Sequence, residues 1–121
     1  MIELCLLGAT GSIGGQVLDL IREKRDYYRL AAFSFGHNIN KALDIIEEFE
    51  PDLVCAVEEL DAKRIKEVFP KVEVTFGSKG LQQVATHNCL CPKVINALVG
   101  SVGLTPTLSA IEVGRDVFLA N

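Results

Sequence analysis

Apolar and polar positions along this chain fall into alternating blocks of two kinds. Short runs rich in apolar residues cover 2–7, 28–35, 53–57, 73–76, 94–99 and 117–120. Between them lie stretches in which apolar side chains recur every three or four positions. A continuous apolar run is the pattern of a strand buried on both faces, and Leu30-Ala31-Ala32-Phe33 is the clearest example. The three-to-four spacing is that of a helix with one buried stripe. It predicts a first helix over 12–23, with Ile13, Val17, Leu20 and Ile21 on its stripe. A second covers 40–49, with Asn40 as N-cap and Ala42, Ile45, Ile46 and Phe49 facing inward, and Pro51 stops it. A third covers 61–68, capped by Asp61 and ended before Pro70. Gly77-Ser78-Lys79-Gly80 reads as a turn into a short helix over 81–86. The last helix covers 104–113, with Pro106 in its first turn and Gly114 as its C′ residue.

Strand and helix therefore alternate throughout, with short connections. That order predicts an α/β fold: a Rossmann-like, doubly wound, mainly parallel open sheet of about six strands with helices on both faces. Length allows one domain over residues 1–121. The chain stops at Asn121, at the carboxyl end of a strand, where such sheets hold their ligands. It reads as an excised piece, with apolar surface near the last strand that is expected to drive self-association.

Between the first strand and the first helix stands Gly8-Ala9-Thr10-Gly11-Ser12-Ile13-Gly14. Glycine permits a tight turn and a close approach by an anion, and the first N–H groups of a helix are unpaired and point at it. A strand, a glycine turn and a helix N-terminus form a phosphate cradle. The spacing is G-x-x-G-x-x-G rather than the dehydrogenase form G-x-G-x-x-G. Glycine turns that bind nothing also occur; the strand before and the helix after favour a dinucleotide or another phosphorylated ligand.

The net charge of −4 gives no basic footprint for nucleic acid. No apolar run reaches membrane-spanning length and no leader pattern opens the chain, so a cytoplasmic location is expected. Of the four cysteines, Cys5 and Cys55 sit inside strand patterns as small hydrophobes. His87-Asn88-Cys89-Leu90-Cys91 offers three soft ligands without a second pair to close a tetrahedral site, so reduced thiols are expected and no metal ligand is assigned. Arg22-Glu23-Lys24-Arg25-Asp26 reads as a solvated helix end, and Glu47, Glu48 and Glu50 as solvated surface.

The second strand carries the cofactor signal. An NAD site places an acidic residue near its end to bind the ribose 2′-hydroxyl. Here the segment is Phe33-Ser34-Phe35-Gly36-His37-Asn38, without Asp or Glu. With Ser34, His37 and Asn38 as donors, it fits NADP(H) better than NAD(H). The cation expected beside a 2′-phosphate is missing unless His37 is protonated or Lys41 reaches over. Asn38 also suits an Asx turn. Lys79 reads as solvated. Gly100 and Gly103 either close over the nicotinamide side of the cofactor or serve turn chemistry alone.

Four segments together resemble one family. Leu7-Gly8-Ala9-Thr10-Gly11-Ser12-Ile13-Gly14, Gly36-His37-Asn38, Val99-Gly100-Ser101-Val102-Gly103-Leu104-Thr105-Pro106-Thr107 and Leu119-Ala120-Asn121 are similar, in order, to motifs of the 1-deoxy-D-xylulose 5-phosphate reductoisomerases. The resemblance implies an enzyme that rearranges 1-deoxy-D-xylulose 5-phosphate and reduces the aldehyde with NADPH to 2-C-methyl-D-erythritol 4-phosphate, on the route to isoprenoid precursors. It implies a homodimer, and a divalent cation, Mg²⁺ or Mn²⁺, that holds the sugar-phosphate substrate. NADPH contacts then fall on Thr10, Gly11, Ser12 and Ile13 at the pyrophosphate, on Gly36, His37 and Asn38 at the adenosine ribose and its phosphate, and on Asn121 at the nicotinamide end. His37 departs from the lysine of many members. The family's metal-binding carboxylates and substrate-phosphate residues lie beyond Asn121. The chain is thus expected to be the N-terminal NADPH-binding domain, with no catalytic residue of its own, binding cofactor without turning over substrate. Other Rossmann oxidoreductases, of the semialdehyde dehydrogenase or dihydrodipicolinate reductase type, and a non-enzymatic nucleotide-sensing module are the alternatives.

Overall fold

One six-stranded sheet organises the chain. The computed structural model describes residues 1–89, 92–98 and 104–119. The elements run β1 (Ile2–Leu7), α1 (Ser12–Glu23), β2 (Tyr28–Ser34), α2 (Ile39–Phe49), β3 (Leu53–Ala56), α3 (Glu59–Val68), β4 (Glu73–Phe76), α4 (Gly77–Ala85), β5 (Pro92–Asn96), α5 (Leu104–Glu112) and β6 (Asp116–Leu119). Strand order is β4-β3-β2-β1-β5-β6 and every pairing is parallel. The chain builds outward from β1 through β4, then crosses back to place β5 on the other side of β1. The order reverses between β1 and β5, which is where an open parallel sheet forms its ligand crevice.

Alternate residues of β1 face opposite layers, as a strand's period of two requires. Leu4 and Leu6 join Leu18 and Ile21 of α1, Ala42, Ile45, Ile46 and Phe49 of α2, and Ala62 and Ile65 of α3. Cys5 and Leu7 join Val84 and Ala85 of α4, Val94 of β5 and Ala110 of α5. The second layer is lined by small side chains, which lets α4 approach closely: a Cβ added at Gly80 would lie 2.6 Å from Cys55 Sγ.

Strand β2 is less regular. Leu4 pairs with Leu30 and Cys5 with Ala32, so Ala31 is an extra residue without a partner on β1. The Ala31 carbonyl accepts the Asp52 N–H at 2.7 Å instead. The bulge lets Leu30 and Phe33, three apart, face the same layer while Ala32 faces the other. This is how Leu30-Ala31-Ala32-Phe33 buries all four side chains.

Several sequence expectations are corrected. The buried face of α1 is Gly14, Leu18 and Ile21, with Val17 at its margin; Ile13 and Leu20 are 38% and 41% exposed. Gly14 touches the preceding loop and so fixes the helix phase, which no hydrophobicity pattern reveals. Asn38, not Asn40, caps α2: its side chain accepts the Lys41 N–H at 3.1 Å. Helix α3 begins two residues earlier than expected, and Asp61 lies in its first turn beside Glu59, favourably placed on the helix dipole. The expected turn at Gly77–Gly80 is the first turn of α4, entered through Gly77 at φ +76°. Gly114 takes φ +79° after α5, as its C′ role requires. The expected apolar surface near the last strand is present as Leu108, Ile111, Val113, Phe118 and Leu119. Among the described residues no helix is long and apolar enough to cross a membrane.

Burial pushes the thiols of Cys5 and Cys55 up to about 12 from an ordinary value of 9.0. The unfolded chain therefore loses these protons first. Their stabilising contribution is full below pH 9.0 and declines as the pH rises towards about 12. Urea unfolding across an alkaline series is expected to show a falling midpoint, with a shallower fall in a Cys5→Ala, Cys55→Ala double variant. An equal slope in the two proteins would contradict it. His87 Nε2 meets Asp52 Oδ2 at 3.1 Å, and Cys91 lies outside the described residues.

Candidate functional site

The chain leaves β1 through Gly8 at φ +87°, a conformation that glycine alone adopts without strain. The Gly8 N–H donates to Ser34 Oγ at 3.0 Å, and the Ala9 N–H donates to the Ser34 carbonyl at 2.8 Å. Ser34 is 1% exposed. Its hydroxyl oxygen, as acceptor, thus anchors the glycine loop to the end of β2. On the other side the loop abuts the strand that begins the second half of the sheet. An added Cβ at Gly8 would lie 3.2 Å from the Ala97 carbonyl oxygen, and the Ala97 N–H donates to the Leu7 carbonyl at 2.9 Å. The loop therefore sits over the point where strand order reverses.

Helix α1 starts beneath this loop. Gly11 is its N-cap, with no side chain to occupy the free N–H groups of the first turn, and its carbonyl accepts the Gly15 N–H at 2.9 Å. A Cβ added at Gly14 would lie 2.2 Å from the Gly8 carbonyl oxygen and 2.7 Å from that of Ala9. Hydrogen at this position is what lets the helix end press against the loop. Gly11 and Ser12 are exposed, and a Cβ at Gly11 would meet only one atom, at 3.9 Å. The space before the helix end is open, its N–H groups are unclaimed by side chains, and the dipole favours an anion there. These residues fit a pyrophosphate.

The β2–α2 turn lies beside the loop, held there by the two bonds to Ser34. Gly36 borders open space, and His37 and Asn38 are exposed. Asn38 spends its side-chain oxygen on the α2 cap, leaving its amide group free to donate. Lys41 completes the link: its Nζ donates to the Thr10 carbonyl at 3.2 Å, across a cleft of about 540 Å³ between α1 and α2. The far end of that cleft is closed by ions. Arg22 holds Glu48 through Nε and a terminal nitrogen at 2.5 and 2.7 Å and Asp19 at 2.6 Å, while Arg25 reaches Glu48 and stacks 4.8 Å from the centre of the Phe49 ring. Arg22 holds the Glu48 carboxyl below the usual carboxylate range. Glu48 is thus a structural partner on the surface, and Lys79 lies exposed on α4.

A second hollow, of about 200 Å³, opens at the carboxyl ends of β2 and β3 and is almost wholly apolar. Phe35, Val57, Leu81 and Leu98 line it, with Gly36 at its edge. Sequence reasoning missed it. The available signal was an apolar residue at each strand end, read there as core. Thr10, Gly11, Ser12, Ile13, Gly36, His37 and Asn38 thus gather at one edge of the sheet. Gly100, Gly103 and Asn121 lie outside the described residues.

A family model described as 1-deoxy-D-xylulose 5-phosphate reductoisomerase matches residues 4–121. Curated 1-deoxy-D-xylulose 5-phosphate reductoisomerases of Lysinibacillus sphaericus (strain C3-41) and Bacillus cereus (strain AH187) are 43% and 46% identical to all 121 residues. The chain spans 32% of each, about a third of their length. A crystal structure of DOX-P reductoisomerase in complex with NADPH, fosmidomycin and magnesium matches 100% of this chain and 30% of its own, with a TM-score of 0.92 and 30% identity. The 1-deoxy-D-xylulose 5-phosphate reductoisomerase from Zymomonas mobilis in complex with NADPH matches 98% of this chain and 31% of its own, with a TM-score of 0.87 and 30% identity.

Proposed function

This chain belongs to the 1-deoxy-D-xylulose 5-phosphate reductoisomerase family, and we propose that residues 1–121 are the part that binds NADPH. The observation that carries this reading is the α1 N-terminus, uncapped by any side chain, under a glycine loop where the strand order reverses. Thr10, Gly11, Ser12 and Ile13 receive the pyrophosphate, whose charge the first-turn N–H groups and the helix dipole stabilise. Gly36, His37 and Asn38 receive the adenosine ribose and its 2′-phosphate, and the apolar hollow beside Phe35 takes the adenine ring. Asn121 meets the nicotinamide end. When bound, NADPH supplies the hydride for reduction of a carbonyl. The residues of this chain contribute binding and orientation, and none is assigned a proton-transfer role.

The whole activity, conversion of 1-deoxy-D-xylulose 5-phosphate to 2-C-methyl-D-erythritol 4-phosphate, belongs in this proposal to a longer polypeptide. That polypeptide would bring the divalent cation, the substrate-phosphate site and the dimer contact, and would work in the cytoplasm without nucleic acid or membrane. Calorimetric titration of the 121-residue chain with NADPH and with NADH tests the part assigned here. NADPH is expected to bind, and more tightly than NADH. A preference for NADH, or no heat from either at millimolar concentration, would refute the reading.

A further inference from the structure

We infer that Lys41 supplies the cation that selects the 2′-phosphate of NADPH, an inference that rests on the cofactor reading above. The β2–α2 turn, where a 2′-phosphate has to be recognised, contains neither lysine nor arginine, only the exposed His37. Two permanent cations line the adjoining cleft, Arg22 and Lys41. Arg22 is neutralised, held by Asp19 and Glu48 together. Lys41 is not. Asp19, Asp44 and Glu48 line the same cleft, yet among the described residues no carboxylate forms an ion pair with its amine. Its side chain donates to the neutral Thr10 carbonyl, 3.2 Å away and itself in the phosphate loop.

The placement has a structural cause. Asn38 caps α2 by accepting the Lys41 N–H, which fixes the lysine backbone in the first turn of α2, and the side chain reaches back to the loop. The amine thus lies between the two segments that a phosphorylated adenosine ribose would touch, and a dianion gains more from it than the carbonyl it now holds. Asn38 then acts twice: it presents its own amide and positions the lysine.

Binding constants for NADPH and NADH, measured by calorimetry on the wild-type chain, Lys41→Gln and Lys41→Arg, decide the matter. Lys41→Gln is expected to weaken NADPH about tenfold and leave NADH unchanged, since an exposed charge-assisted contact is lost. Lys41→Arg is expected to stay within about threefold of wild type for both, because the charge is kept. The wild-type preference for NADPH should also shrink as salt is added, and that of Lys41→Gln should respond less. Equal weakening of NADPH and NADH in Lys41→Gln would assign the lysine to the pyrophosphate and overturn the inference, as would no change in either. Failure of the wild-type chain to bind either nucleotide would instead overturn the cofactor reading and this inference with it. Lys41 is exposed, and matching thermal unfolding of the three proteins verifies that the fold is intact.

Discussion

Gly14→Ala is expected to destabilise the chain by about 3 kcal/mol and to abolish nucleotide binding, a large effect for one methyl group. The methyl carbon would lie 2.2 Å from the Gly8 carbonyl oxygen and 2.7 Å from that of Ala9. Both obstacles are backbone, and neither is free to move. Gly8 is tied to Ser34 Oγ and Ala9 to the Ser34 carbonyl, inside a sheet that is paired on both sides of β1. Relief has to come from lifting the N-terminus of α1 off the loop, which separates the anion-binding N–H groups from the glycine turn that admits the anion. Gly15→Ala is the control. Nothing lies within 4 Å of a Cβ there, so alanine is expected to raise stability by about 0.5–1 kcal/mol through its better helix propensity. Urea unfolding and NADPH titration of both variants check the pair, and equal stability of the two would contradict the account.

Phe33→Ala is expected to cost about 4 kcal/mol, a large share of the roughly 5–15 kcal/mol that holds a small domain folded. Phe33 is fully buried, near the end of β2 and in the layer shared with α1, α2 and α3. Its ring stands 6.4 Å from that of Phe35, tilted by 49°. Truncation opens a cavity beneath Ser34, the residue that anchors the phosphate loop, so binding and stability should fail together. Leu60→Ala, at a position 78% exposed, is expected to change the unfolding midpoint little. A Phe33→Ala chain with a near-normal midpoint would show that the layer repacks around the loss.

Much of the architecture was readable before the fold was known. The strands at 2–7 and 73–76 and the helix at 12–23 have the same bounds in the sequence reading and in the structure, because each is written in contiguous residues. The glycine loop is readable for the same reason: its glycines, its preceding strand and its following helix all lie between Ile2 and Glu23. The sequence points to Asn40 as the α2 cap where Asn38 is, because the two have the same capping chemistry and only the path of the backbone separates them. The glycines at 77–80 favour a turn because glycine is a poor helix former; close packing of Gly80 on Cys55 overrides that weak preference.

By itself the sequence determined the class of sheet, the place of the glycine loop between β1 and α1 and the absence of an acidic residue at the end of β2. All of these depend on neighbours along the chain. Tertiary structure decided which side of α1 is buried, the bulge at Ala31 that turns Phe33 towards the helices, and the apolar hollow at the strand ends. It also made Ser34 an anchor of the glycine loop, across 26 positions, and brought the Lys41 amine to the Thr10 carbonyl, across 31. Those outcomes are set by the distance and angle between segments remote in sequence, and hydrophobic periodicity carries no measure of either.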